Sequence, residues 1–169
     1  MPKAGGLSYI IQAHCSLIAY PEFSMLAHET GVVVGKFIFM DILCRWGAVE
    51  ELITDNGAPI VAGLDWLAKA YHITHIHISP YNKQANGIVK RSHRTIHESI
   101  VKTCVGEIRR WPVITPHVFW ADCVTVRKDT GYSPFYMVHG IEPILPFEAT
   151  YLVPPWFSEN VLNIFLLCF

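Results

Sequence analysis

Apolar and β-branched residues crowd two runs near the start of the chain, Ser8 to Ala13 and Leu17 to Leu26, joined across His14, Cys15 and Ser16. Both runs predict strands, with Pro21 marking an edge or a bulge. From about His28 to Trp46 the apolar positions fall at 34, 38 and 42 and at 33, 37, 40 and 44. That is helical spacing, closed by Gly47 as a C-cap, although Gly31 and Gly35 weaken the start. Leu52 to Thr54 predicts a short buried strand and Asp55-Asn56-Gly57 a turn. Pro59 to Tyr71 predicts a second helix. Ile73 to Ile78 alternates strictly, which predicts a strand with its histidines on one face.

Ser79-Pro80-Tyr81-Asn82 breaks the pattern before a long helix from about Asn86 to Val105. Trp111-Pro112 reads as a break ahead of a helix from about Pro116 to Arg127. The Gly/Pro-rich stretch from Thr130 to Pro146 reads as a packed loop with one helical turn. The order ββ-α-β-α-β-α-α predicts a mixed α/β domain with helices covering a sheet. No internal repeat or linker divides residues 1–150. Residues 151–169 differ: Pro154-Pro155 interrupts them, and Val161 to Phe169 is almost wholly apolar. Those last residues are too few for the roughly 20 a spanning helix needs. The tail is expected to pack on the core or to be a readthrough or truncation end, not a domain.

Composition narrows the class. Of 169 residues, 51% are hydrophobic and 16% charged, which excludes a disordered chain. A net charge of −1 and a pI near 6.7 exclude a histone-like basic protein but leave room for a local patch. Such a patch exists: Lys83, Lys90, Arg91, Arg94, Lys102, Arg109 and Arg110 face only Glu98 and Glu107 within the same stretch. A mean hydropathy of +0.31 is high, yet no apolar run reaches the length of a membrane span. The five cysteines, at 15, 44, 104, 123 and 168, form no CxxC pair and are odd in number. Reduced thiols in an intracellular protein are therefore expected. The first six residues are too short and polar for a signal peptide.

Two stretches carry the chemistry: Asp55-Asn56-Gly57 after a strand, and Ser79-Pro80-Tyr81-Asn82-Lys83-Gln84-Ala85-Asn86-Gly87-Ile88-Val89-Lys90-Arg91 entering a helix. With Cys44-Arg45-Trp46-Gly47, Phe119-Trp120-Ala121-Asp122, Thr130-Gly131-Tyr132-Ser133-Pro134-Phe135 and His139-Gly140-Ile141-Glu142-Pro143 in order around them, the chain resembles retroviral-type integrase catalytic cores. The likeness is to those of Ty3/gypsy-like LTR retrotransposons, over about residues 7 to 150. It implies an RNase H-like fold, with a central mixed five-stranded sheet flanked by helices. It also implies polynucleotidyl transfer, in which Mg²⁺ or Mn²⁺ ions held by three carboxylates activate water or a DNA 3′-hydroxyl.

One of the three carboxylate positions carries over, to Asp55. The first falls on Cys15, 40 positions earlier, and the third on Lys90, 35 positions later. A thiol is a soft ligand ill suited to Mg²⁺, and an ammonium only donates. Without the negative charge little remains to gather two dications. Lys90 is expected instead to reach Asp55 and form an ion pair. Glu98, Glu22 and Asp41 are not placed to substitute. The resemblance thus implies a degenerate, inactive core that binds nucleic acid weakly through Lys83, Lys90, Arg91, Arg94 and Lys102. It further implies an active-site loop at Asn82, Gln84 and Asn86, homodimerisation through the core, and a nuclear location where the protein functions. An active metal-dependent transferase, and a non-enzymatic DNA-binding or interaction module or decayed element fragment, remain the alternatives. The zinc-binding His/Cys module and the C-terminal DNA- or chromatin-binding domain of that family are not expected in this sequence.

Other features read as structure. His93 and His97 sit at i, i+4, and His75 and His77 share a strand face, but no cysteine or carboxylate completes a zinc set. Trp46, Trp66, Trp120, Phe37 and Phe39 are expected in the core, and Cys44, Cys104 and Cys123 as buried small hydrophobes.

Overall fold

The two N-terminal runs form an antiparallel hairpin of β1 (Tyr9–His14) and β2 (Pro21–Leu26), in register from Tyr9↔Leu26 to His14↔Pro21. The computed structural model describes residues 1–55, 57–77 and 83–144, without the side chains of 83–92. The second strand starts at Pro21 and not at Leu17, because the chain turns first. Cys15 N–H donates to the Tyr20 carbonyl at 3.1 Å, Ala19 N–H to the Cys15 carbonyl at 2.9 Å, and Ala19 takes φ +54°.

Thr30 caps the next helix, its hydroxyl accepting from Val33 N–H. Helical structure then continues through α1 (Gly31–Phe37), a π-helical stretch Ile38–Leu43 and α2 (Cys44–Trp46), ending at Gly47 with φ +83°. The segment β3 (Glu51–Thr54) pairs in parallel with β4 (Thr74–His77), and α3 (Ala58–Tyr71) crosses between them. The long helix α4 (Lys83–Thr103) starts earlier than Asn86 because Lys83-Gln84-Ala85 are good helix formers.

Trp111-Pro112 proves to be a helix start and not a break. A 3₁₀ turn at Ile108–Arg110 leads directly into α5 (Trp111–Val124). Proline is tolerated in that first turn because its missing N–H would have no partner there. Pro116, expected near the start, lies inside the helix, and the buried Thr115 hydroxyl donates to the Trp111 carbonyl at 2.7 Å beside it. One helical turn, α6 (Pro134–His139), sits in the C-terminal loop as expected, capped by Ser133.

The hairpin separates two cores, and its alternation shows which face meets which. Ile11 and Ala13 pack on Val34, Phe37, Ile38, Ile42, Leu64 and Leu67, the layer of α1 and α3. Ile10, Phe23 and Met25 pack on Ile96, Ile100, Trp111, Val118 and Phe119, the layer of α4 and α5. Phe23 stacks on Phe119 at 4.0 Å between ring centroids. Helices on both faces of a strand layer give the mixed α/β architecture expected.

The expected five-stranded sheet is not found among the described residues, which hold two separate two-stranded sheets. After Leu26 the chain reaches α1 within a few residues, leaving no room for a third antiparallel strand. β1 and β3 are linked through side chains, Leu52 joining Ile11 and Ala13 in one core. Trp46, Trp66 and Trp120 are not core either, being 41%, 68% and 43% exposed. Leu64 and Leu67 take the inward stripe of α3, and Val118, Phe119 and Cys123 that of α5, turning the tryptophans outward. Phe37, Cys104 and Cys123 are buried and Phe39 is partly so, whereas Cys44 is exposed.

Candidate functional site

Asp55 follows the last residue of β3 and is exposed. Its Oδ1 accepts from Gly57 N–H at 3.1 Å, the Asx turn that the Asp-Asn-Gly sequence predicts. Thr54 Oγ1 donates to the Asp55 carbonyl at 3.0 Å and lies 2.7 Å from Nε2 of His75. The carboxylate is thus carried at a strand end whose backbone is linked through Thr54 to His75 on the neighbouring strand.

Cys15 follows the last residue of β1, exposed, in the turn that Tyr20 closes. Tyr20 packs edge-on against Trp46 at 5.1 Å. Burial, together with the Cys123 thiol it meets, pushes the Tyr20 phenol up to about 12. On the opposite hairpin face Glu22 is only 8% exposed. Its carboxylate accepts from Arg45 and from the indole N–H of Trp46, each at 2.8 Å. Burial raises the Glu22 pKa, and the Trp46 and Arg45 contacts oppose that rise. This clasp ties β2 to the helix end that precedes β3. It engages Glu22 as a structural group.

His14 points to the α4–α5 side of the hairpin, where Asp122 and Arg127 form an ion pair at 2.8 Å. Burial lowers its pKa. The Asp122 charge opposes that, while Arg127 and His93 add to it. His93, in the middle of α4, lies near enough for its charge to act on His14 at the end of β1. Lys90, one turn before His93, lies on the same helix.

Lys83, Gln84, Asn86, Lys90 and Arg91 are therefore placed on α4 by backbone, while their side chains, and Asn82 altogether, lie outside the described residues. The expected Lys90–Asp55 ion pair falls there too. Arg94 is exposed and reaches Glu98 at 3.5 Å. Lys102 is exposed in the last turn.

The donor set fits a paired-metal centre poorly. Among the described residues no three of His, Cys, Asp and Glu converge on a common point. Asp55 already has one oxygen engaged with Gly57, and the two positions expected from sequence to complete the set, Cys15 and Lys90, would offer a thiol and an ammonium. Among the described residues these donors do not fit a pair of Mg²⁺ ions. Sequence reasoning missed His14, Gln12 and the Glu22–Arg45–Trp46 clasp. Their one signal was polar residues at inward positions of an alternating strand.

The chain is 29% identical over 141 residues to the Gag-Pol polyprotein of avian reticuloendotheliosis virus, covering 82% of itself and 12% of that protein. It is 26% identical over 162 residues to the retrovirus-related Pol polyprotein from transposon 412 of Drosophila melanogaster, covering 94% of itself and 13% of that protein. The catalytic core domain of BIV integrase superposes with a TM-score of 0.61 at 23% identity, over 76% of this chain and 83% of that one.

The chain is thus similar to retroviral and retrotransposon Pol polyproteins in sequence and to retroviral integrase catalytic cores in fold. Its mixed α/β fold is that of integrase catalytic cores, which are RNase H-like. A second structure, the simian T-cell lymphotropic virus intasome in complex with PP2A regulatory subunit B56 gamma, matches with a TM-score of 0.65 at 17% identity. That match covers 81% of this chain and 49% of that one. No family model matches the chain. It spans only a small part of its two Pol relatives, so their whole-protein activities are not thereby its own. Among the described residues no helix is long and apolar enough to cross a membrane.

Proposed function

We propose that residues 1–150 are the catalytic core of a retroelement integrase that has lost strand transfer and contacts DNA weakly through α4. Residues 151–169 stand outside the domain. The observation that carries this reading is the chemistry at three places: Cys15 at the end of β1, Asp55 at the end of β3, and Lys90 on α4. Only Asp55 remains a ligand for a hard dication, and Lys90 brings a positive charge where such an ion would need its opposite. Mg²⁺ or Mn²⁺, the cofactor of the related enzymes, is not held productively.

DNA contact then falls to Lys83, Lys90, Arg91, Arg94 and Lys102, with the Asn82, Gln84 and Asn86 segment leading into them. It is electrostatic and salt-sensitive. Core-to-core pairing and action in the nucleus complete the reading. The test is a divalent-dependent cleavage and joining assay on branched DNA, run on the natural chain beside Cys15→Asp plus Lys90→Glu. Turnover by the double variant alone supports a pseudoenzyme with an intact fold. Turnover by the natural chain overturns the assignment of Cys15 and Lys90.

A further inference from the structure

The β3–β4 ladder carries two imidazoles on one face. In its parallel register Leu52 lies beside His75 and Thr54 beside His77, so both rings stand on the Leu52 and Thr54 side. Their centroids are 3.9 Å apart. Thr54 Oγ1 lies 3.0 Å from the Asp55 carbonyl and 2.7 Å from Nε2 of His75; with the hydroxyl proton given to that carbonyl, Nε2 of His75 carries the ring proton. Nδ1 therefore bears a lone pair. That nitrogen is buried and has no hydrogen-bond partner.

A lone-pair nitrogen whose opposite N–H is fixed by a hydrogen bond is how metal-ligating histidines are usually held. The geometry points to a two-histidine site on β4 for a borderline-soft dication such as Zn²⁺ or Ni²⁺, bound by Nδ1 of His75 and a ring nitrogen of His77. His77 is exposed, so its ring is free to turn from its present stacking to an edge-on approach. Imidazole selects these ions over Mg²⁺. Among the described residues no third His, Cys, Asp or Glu joins the pair, so water fills the remaining positions. Through Thr54 the bound ion braces the strand end that carries Asp55. None of this depends on whether the chain transfers DNA strands.

Calorimetric titration of the full chain with Zn²⁺, Ni²⁺ and Mg²⁺ tests the site. The natural chain is expected to bind one more equivalent of Zn²⁺ and of Ni²⁺ than His77→Ala, which removes only an exposed ring. The double variant His93→Ala plus His97→Ala should keep that equivalent, and Mg²⁺ should not occupy it. Thr54→Val releases the ring from its tautomer and should weaken the extra step roughly 10–100-fold. A ¹⁵N shift at Nδ1 of His75 on adding Zn²⁺ gives an independent readout. Equal stoichiometry and affinity in the natural chain and His77→Ala overturn the proposal, as does an unmoved Nδ1 resonance.

Discussion

A Cβ placed on Gly63 would stand 2.5 Å from the carbonyl oxygen of Gly31. Helices α1 and α3 cross at that point, and Gly35 completes the contact, its own added Cβ meeting the Gly63 carbonyl at 3.3 Å. The glycines that make the start of α1 look weak are there because another helix backbone occupies the space of their side chains. Gly63→Ala gains roughly 1 kcal/mol in helix propensity. It must also push two backbones apart, an overpacking cost of about 1–3 kcal/mol or more. A net loss of stability is expected, read as a lower urea midpoint with unchanged helical circular dichroism. An unchanged or higher midpoint would show that the crossing is looser than it looks.

Much of this architecture was legible in the sequence because it rests on local period. The hairpin, β3, α3, β4 and the turn at Asp55 came from alternation, helical spacing and Asp-Asn-Gly. What failed depended on tertiary partners. Trp46, Trp66 and Trp120 look like core by composition. The inward stripes of α3 and α5 were already filled by Leu64, Leu67, Val118 and Phe119, and Trp46 was held by Glu22. Trp111-Pro112 looks like a break until Trp111 is seen fully buried, its indole N–H donating to the Pro2 carbonyl at 2.8 Å. The fifth strand came from resemblance alone, as the residue pattern predicted only four. The candidate site was legible only as positions along the chain. That α4 passes the end of β1 emerged from the charges around His14.

Gln12 lies on the α4–α5 face of β1, opposite Phe23. Both polar atoms of its amide are buried without a hydrogen-bond partner. An unsatisfied buried polar group costs about 1–3 kcal/mol, and an apolar group of similar shape removes that cost. Gln12→Met is therefore expected to stabilise the fold by roughly 1 kcal/mol, seen as a rise in melting temperature. A lower melting temperature would mean that the amide is satisfied in solution.

The clasp on Glu22 makes the opposite prediction. Trp46→Phe keeps the ring against Tyr20 but deletes the indole N–H, leaving one oxygen of a buried carboxylate short of a donor. The expected loss is about 1–3 kcal/mol. Trp46→Phe combined with Glu22→Gln should lose less than the sum of the two single changes, because the second removes the charge that the first leaves exposed to burial. Additive losses in that double-mutant cycle would place the Trp46 contribution in packing alone.

Acid should weaken the fold through its partly buried histidines. His14 and His75 both have folded pKa values below the ordinary 6.5, each held down chiefly by burial. The unfolded chain therefore takes up protons first as the pH falls, and stability drops from about 6.5 downward until the folded values are passed. Above that window both rings are neutral in either state and their contribution is flat. His14 is the better probe, because Asp122, Arg127 and His93 around it are all identified, and the Asp122 charge only partly offsets burial. His14→Gln should flatten the fall in urea midpoint between pH 7 and pH 5 while leaving the Asp122–Arg127 pair in place. A slope identical to that of the natural chain would assign the acid sensitivity to other groups and remove His14 from the account.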